Sequence, residues 1–172
     1  MLLIINKFSQ LSFPKLVQVY TESLTQNFIC SRSCSPNEQM CEAEQDFYDY
    51  LRFVFFRQNH SRYAIWEEGG QYVSALRLEA YMDGYLICAL ETAPEYRRLG
   101  FAEKLMTELL RFLSDTSTGK LYSHISNSNA ASLELHQKCG FQIIKDYAKF
   151  LDGSVYRDHM TMLYEFGKTE SF

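Results

Sequence analysis

The segment from residue 90 to residue 102 contains residue types that can bind an anion. Pro94 blocks extension of the apolar strand before it, and a helical pattern begins at two small residues, Gly100 and Ala102. Free backbone N–H groups at a helix start point outward with the positive end of the helix dipole, and small residues let phosphate oxygens approach closely. The segment therefore predicts a pyrophosphate site, and an ordinary strand-turn-helix junction with solvated arginines is the alternative. The residues expected at this site are Arg97, Arg98, Leu99, Gly100, Phe101 and Ala102.

The elements that must position this segment follow from hydrophobic periodicity and turn residues. The pattern predicts strands over residues 1–5, 63–67, 71–80, 85–92, 120–126, 141–150 and 156–166. It predicts helices over residues 13–25, 42–60, 100–114 and 130–138, and a loop over residues 27–40. The resulting order, βααβββαβαββ, favours one α/β domain over residues 1–172, with a mixed sheet flanked by helices.

A second segment, Asn129-Ala130-Ala131-Ser132-Leu133-Glu134-Leu135-His136-Gln137-Lys138-Cys139-Gly140-Phe141, carries a family resemblance. It is similar to the N-x-x-(A/S)-x-x-L-Y-x-x-x-G-F block of the GNAT acetyltransferases, and Arg97-x-x-Gly100-x-Ala102 resembles their Q/R-x-x-G-x-G/A signature. The distance between the two blocks suits one helix and one strand. The resemblance runs from about residue 63 to residue 166. It implies a single-domain GNAT fold with a mostly antiparallel sheet of about seven strands, of which strands four and five are splayed.

The activity that this resemblance implies is transfer of an acetyl group from acetyl-coenzyme A, bound as co-substrate, to a primary amine. The amine of a small molecule or peptide attacks the thioester directly, so neither an acyl-enzyme nor a metal is expected. Backbone N–H groups of Leu90 to Thr92, at the gap between strands four and five, would stabilise the thioester oxygen. Asn129 either holds the coenzyme arm or caps the helix that follows it.

Three side chains are candidates for moving protons. His136 stands where many relatives have the Tyr that protonates the leaving thiolate, and an imidazole can do this work. A thiol with a pKa of about 8.5 also leaves readily, so a helix residue packed on the sheet is the alternative for His136. An alkylamine with a pKa of about 10 must lose a proton before or during attack. Glu91 and Glu79, on neighbouring strands, are the candidate acceptors, and a solvated strand glutamate is the alternative for each.

The composition excludes several other classes of protein. The net charge is -4, and no run of Lys or Arg is longer than two residues, which argues against a nucleic-acid partner. The apolar start, Met1 to Ile5, is too short for a membrane span and predicts a buried strand. Of the five cysteines, the first three lack CxxC spacing or a nearby His pair, so reduced thiols in a cytoplasmic protein are expected, and a zinc or disulfide site is the alternative. The sequence leaves open whether the protein forms a homodimer.

Two questions stay open at the level of sequence. Because the usual Tyr is missing, a GNAT module that binds acetyl-coenzyme A as a sensor, with little turnover, is the alternative to an enzyme. The acceptor amine is also undetermined, because an acidic group in the second helix either attracts a cationic amine or is solvated surface. Its members are Glu38, Glu42, Glu44, Asp46 and Asp49.

Overall fold

A seven-stranded sheet is the centre of the fold in the computed structural model, which describes residues 1–28, 36–115 and 119–167. The strands in chain order are β1 (Leu2–Ile5), β2 (Arg62–Glu68), β3 (Gln71–Tyr81), β4 (Gly84–Thr92), β5 (Lys120–Ser126), β6 (Gln142–Lys145), β7 (Ala148–Lys149), β8 (Val155–Tyr156) and β9 (His159–Glu165). The order across the sheet is β1-β2-β3-β4-β5-β9-β6, and β7 pairs separately with β8. All neighbours in the sheet are antiparallel except β4 and β5. The predicted α/β fold with about seven strands is confirmed.

In the described part of the chain, four α-helices cover the two faces of the sheet. They are α1 (Phe13–Phe28), α2 (Pro36–Asp49), α3 (Phe101–Ser114) and α4 (Ala130–Lys138). The apolar side of α3 buries four residues against the sheet, and leucines of α4 pack on the same core. Buried residues of α1 form a second core with the opposite face. Within the described ranges, no helix combines the length and apolar character needed to cross a membrane.

The second helix differs from its prediction at both ends. It begins at Pro36, inside the predicted loop, because Pro is favourable in the first turn of a helix. It is α-helical only to Asp49, and continues as a π turn over Tyr50–Val54 and a 3₁₀ turn over Phe55–Arg57. Periodicity cannot reveal the π turn, because one widened turn barely changes an apolar stripe.

Each of the last two predicted strands is broken into two. Residues 141–150 form β6 and β7, and residues 156–166 form β8 and β9. A register shift between Ile143 and Lys145 bulges β6, which pairs with β9 as far as Lys145. The Thr161 hydroxyl donates a hydrogen bond to the Tyr147 carbonyl (2.7 Å), so the bend between β6 and β7 is tied to β9. The β7–β8 hairpin therefore leaves the main sheet.

Candidate coenzyme and acceptor site

The predicted pyrophosphate segment forms a tight turn into α3. Gly100 occupies the N-cap position with φ +80°, and Arg98 also has a positive φ of 64°. A Cβ at Gly100 would meet no atom within 4 Å, so the backbone borders open space. No side chain caps the helix, so its first N–H groups remain available to an anion. We call residues 97–102 the phosphate turn.

A surface depression of about 300 Å³ lies at the phosphate turn. Its walls include most of the predicted binding residues together with residues of α4, whereas Leu99 does not line it and is exposed. The predicted residues in its walls are Thr92, Arg97, Arg98, Gly100, Phe101 and Ala102. The depression therefore joins the end of β4 to the starts of α3 and α4, on the face of the sheet that these helices cover.

Arg97 has a structural partner that the sequence did not indicate. Its Nη2 lies 2.7 Å from a carboxylate oxygen of Glu22 in α1, and its Nε donates to the Thr92 carbonyl at 3.1 Å. These contacts fasten the phosphate turn to β4 and α1. The Arg98 side chain is exposed beside them and is the freer of the two charges.

The strands β4 and β5 pair over only three residues and then separate. Tyr85 to Ile87 pair with Leu121 to Ser123, and no pairing follows. A bulge in β4 accompanies the separation, because Cys88 pairs with Arg77 while Glu91 pairs with Ala75. This splay confirms the expectation for strands four and five, and it leaves the edge of β4 from residue 88 to residue 92 without a strand partner.

A cavity of about 450 Å³ occupies this gap, and we call it the central cavity. Residues from both faces of the sheet line it, because Ile125 belongs to the core under α3 and α4 whereas its strand neighbour His124 points to the other face. The wall contains two residues that the sequence analysis predicted to bind coenzyme, Leu90 and Asn129, and also His136. Among the other wall residues, Arg77, Cys88, His124 and His159 carry titratable side chains that the sequence analysis did not assign to a site.

The predicted acid, His136, is buried and oriented by its own helix. Its Nδ1 lies 2.8 Å from the Ser132 carbonyl oxygen, which can only accept, so Nδ1 carries the proton and Nε2 does not. The ring also packs edge-on against Phe141 with centroids 5.1 Å apart. Burial lowers its pKa, and the bond to Ser132 opposes this in part. A neutral ring in this tautomer accepts a proton more readily than it donates one.

His124, on β5, offers a second imidazole from the opposite face. Its Nδ1 lies 3.1 Å from the Thr161 hydroxyl oxygen. That hydroxyl already donates its proton to the Tyr147 carbonyl, so it accepts from His124, and the proton of His124 is held on Nδ1. The buried Nε2 has no hydrogen-bond partner among the described residues. Burial lowers the pKa of His124, against an opposing effect of the Lys149 carbonyl, so the ring is neutral near pH 7.

The two predicted bases lie outside the lining of the central cavity. Glu91 turns toward α1, where its carboxylate accepts a hydrogen bond from Ser23 (2.5 Å). Burial raises the pKa of Glu91, while Ser23 and then Arg97 oppose the increase. The Glu79 carboxylate lies 3.6 Å from Nε of Arg77, beside the cavity residue Cys88. Burial, followed by the charge of Glu79, raises the pKa of the Cys88 thiol to about 12, so this thiol is not a nucleophile.

Asn129 caps α4, as one of its two predicted roles required. Its side-chain oxygen accepts from the Ser132 N–H at 3.1 Å. Because Asn129 also lines the central cavity, the cap does not remove it from a coenzyme role. Of the two sequence motifs, one therefore forms the phosphate turn and the other supplies a wall of the central cavity.

Comparisons with known proteins agree with this geometry. The sequence profile described as the acetyltransferase (GNAT) family matches residues 21–141. A segment of 70 residues is 33% identical to N-alpha-acetyltransferase 50 of Danio rerio, and the match spans 38% of this chain and 42% of that relative.

Solved structures share the fold at low sequence identity. The ribosomal-protein-S18-alanine N-acetyltransferase from Escherichia coli superposes with a TM-score of 0.62 at 17% identity, and the match covers 100% of both chains. The PaiA N-acetyltransferase from Thermoplasma acidophilum in complex with coenzyme A gives 0.66 at 13% identity, covering 96% of this chain and 99% of that one. Together with the family profile and the splayed strands, these matches show that the chain belongs to the GNAT acetyltransferase family.

Proposed function

We propose that the protein transfers the acetyl group of acetyl-coenzyme A to the primary amine of a small molecule or peptide. The observation that carries this proposal is the central cavity, which runs through the gap between β4 and β5. It is lined by Asn129 and His136 of the α4 segment on one side and by His124 and Arg77 of the sheet on the other. Such a passage lets two substrates meet from opposite sides of the sheet.

The chain fits a bound pyrophosphate group at the phosphate turn. The uncapped helix start and the open space beside Gly100 leave room for phosphate oxygens, and Arg98 adds an exposed positive charge. When bound, acetyl-coenzyme A supplies the activated acetyl group. The unpaired edge of β4 offers backbone N–H groups around Leu90 and Thr92 to the thioester oxygen. The further proposed contacts with the coenzyme are Leu99, Phe101, Ala102 and Asn129.

The proton of the attacking amine needs an acceptor in the central cavity. Glu91 and Glu79 were proposed from sequence, but their carboxylates contact Ser23 and Arg77, respectively. His124 fits the role better, because it lines the cavity as a neutral ring with an unprotonated Nε2. We therefore propose His124 as the general base, acting directly or through one water.

That His136 protonates the leaving thiolate remains a prediction. The tautomer that Ser132 imposes does not favour it, and a thiolate whose acid has a pKa of about 8.5 can leave unaided. The absence of a Tyr at this position therefore does not by itself favour the sensor alternative.

The test measures coenzyme release and acetylated product with a panel of amino acids, peptides with free N-termini, polyamines and aminoglycosides. Turnover of at least one amine, with loss of activity in Gly100→Glu, supports an enzyme. Tight calorimetric binding of acetyl-coenzyme A without turnover of any amine supports the sensor instead. Absence of coenzyme binding contradicts both.

A further inference from the structure

The wall of the central cavity has an unusual charge for a site that receives amines. It contains the guanidinium of Arg77 and the imidazoles of His124, His136 and His159. Within the described part of the chain, no Asp or Glu side chain lines this cavity. Because His124 and His136 are neutral, the permanent positive charge at this wall is that of Arg77, which attracts an acceptor with an anionic group.

Arg77 is held at this wall by two aromatic rings and by an ion pair with Glu79. Its guanidinium carbon lies 5.2 Å from the centroid of the Tyr50 ring and 5.7 Å from that of Phe55. Its Nε is buried without a hydrogen-bond partner among the described residues, since the nearest carboxylate oxygen, of Glu79, is 3.6 Å away. Burial alone lowers the pKa of Arg77, but the surrounding Tyr and Glu side chains raise it overall, so the charge is kept.

The π turn explains how both rings reach the guanidinium. Residues five apart in an α-helix point about 140° away from each other. In the π turn, the Phe55 N–H bonds to the carbonyls of both Leu51 and Tyr50, and the rings of Tyr50 and Phe55 lie on the same side with centroids 6.3 Å apart. Turns of this kind are rare and occur frequently at functional sites. The π turn at the end of the second helix thus places two aromatic rings against the side chain of Arg77.

The buried Nε of Arg77 lacks a hydrogen bond, which is costly, and a bound carboxylate can pair with a guanidinium in a bidentate manner. We propose that Arg77 binds a carboxylate of the acceptor, so the acceptor class is a small amino-acid-like molecule with a primary amine and a carboxylate. This inference rests on the acetyl transfer proposed above. The amine nitrogen bonds to the acetyl carbon, the sulfur leaves with the electron pair of the broken C–S bond, and the proton of the amine passes to His124.

The experiment measures kcat/KM for the protein amino acids, for their carboxamides and for spermidine, with wild type, Arg77→Gln and Arg77→Lys. Wild type should prefer acids over the matched amides. Arg77→Gln should lower kcat/KM for acids about 10- to 100-fold and for amides less than about 3-fold, because only acids lose a charge-assisted contact. Arg77→Lys keeps the positive charge but loses the bidentate geometry of the guanidinium, so its kcat/KM for acids should lie between those of wild type and Arg77→Gln. Arg62→Gln is the matched control, because Arg62 also lies over a Tyr ring (Tyr85, 5.6 Å) but does not line the cavity.

Two results would overturn the inference. One is a wild-type preference for amides or spermidine over acids, and the other is an equal loss for acids and amides in Arg77→Gln. If no amine is acetylated, the proposed function fails, and binding decides the role of Arg77 separately. N-acetyl amino acids and their amides are then titrated by calorimetry into the protein saturated with coenzyme A. Tighter binding of the acids, lost in Arg77→Gln, supports the carboxylate site, and equal binding of acids and amides rejects it.

Discussion

In two histidines of the central cavity, one hydrogen bond fixes which ring nitrogen carries the proton. In His124 and His136, the protein holds the proton on Nδ1, through the Thr161 hydroxyl and the Ser132 carbonyl, respectively. Both rings therefore present an unprotonated Nε2, and burial lowers the pKa of both. The two imidazoles differ in position, because His124 lies on the central strand β5 and His136 on the covering helix α4.

Replacing His124 by Gln should lower kcat about 10²- to 10⁴-fold, the usual contribution of a positioned base. The base form is lost as the pH falls through a pKa below the ordinary value of about 6.5. The wild-type pH profile of kcat/KM should therefore be flat near neutrality and fall in the acidic range. His124→Gln should lack this acidic limb.

His136→Phe is the companion variant, because it keeps the edge-on packing against Phe141 and removes the ring nitrogens. An activity equal to wild type at every pH would reject His136 as the acid. An acidic limb that persists in His124→Gln and disappears in His136→Phe would reverse the two assignments.

Gly100→Glu should abolish coenzyme binding, because it places a negative charge at the open side of the phosphate turn. Gly100→Ala is the matched control. Both variants force a side chain into a positive φ, at a cost of about 1–2 kcal/mol, but only Glu adds charge. Calorimetry should show a modest loss of affinity for Ala and no detectable binding for Glu. Equal affinities of the two variants would show that charge at this position does not matter.

Among the elements, β4 does the most to shape the site. Ala89 adopts a positive φ of 49° at the bulge, and its carbonyl accepts a hydrogen bond from the buried Tyr20 hydroxyl at 2.7 Å. A non-glycine residue in this region is strained, so it persists only where its surroundings hold it. Tyr20, on α1, thus acts as a positioning residue for the unpaired edge of β4.

Tyr20→Phe should lower kcat about 10-fold with little change in coenzyme affinity, because the bulge relaxes while the phosphate turn is untouched. The loss of one buried hydrogen bond should also cost about 1 kcal/mol of stability. Tyr122→Phe is the control, because it removes a phenol bond of 2.7 Å to Asp83 at the other end of the gap. If both variants lose activity equally, or if Tyr20→Phe changes only the melting temperature, the positioning role is wrong.

At the scale of the whole molecule, the sheet consists of two halves joined at a short seam. Strands β1 to β4 form one half and β5, β9 and β6 the other, and among the described residues three pairs of β4 and β5 join the two halves of the sheet. The seam is tightest at Gly84, where a Cβ would lie 2.0 Å from the Lys120 carbonyl oxygen. The seam and the central cavity therefore lie at opposite ends of the β4–β5 strand pair.

Gly84→Ala should destabilise the fold by about 3 kcal/mol, because two backbones must move apart to admit the methyl group. For a chain of this length, this corresponds to a fall of roughly 6–12 °C in melting temperature. Gly153→Ala, in the turn between β7 and β8, meets no atom within 4 Å and should cost about 1–2 kcal/mol through its positive φ alone. A Gly84 variant that melts no lower than the Gly153 variant would contradict the packing argument.

The sequence by itself determined the parts of this protein that depend on local patterns. Alternating and helical periodicity predicted most strands and helices, and two short motifs predicted the family, the turn at Gly100 and the cap at Asn129. These features are readable because turn geometry, caps and amphipathic faces involve residues close together in the chain. The breaks in the last two strands and the π turn were missed, because they depend on contacts with other elements.

Only the tertiary structure decided which side chains face the central cavity. Glu79 and Glu91 have suitable chemistry, yet their carboxylates lie against Arg77 and Ser23. His124 and Arg77 lie outside both sequence motifs. Both line the gap because strand pairing places β3, β4 and β5 side by side and a bulge in β4 accompanies the gap. The physical reason is that an active site joins residues distant in sequence, whereas local patterns report only on neighbours along the chain.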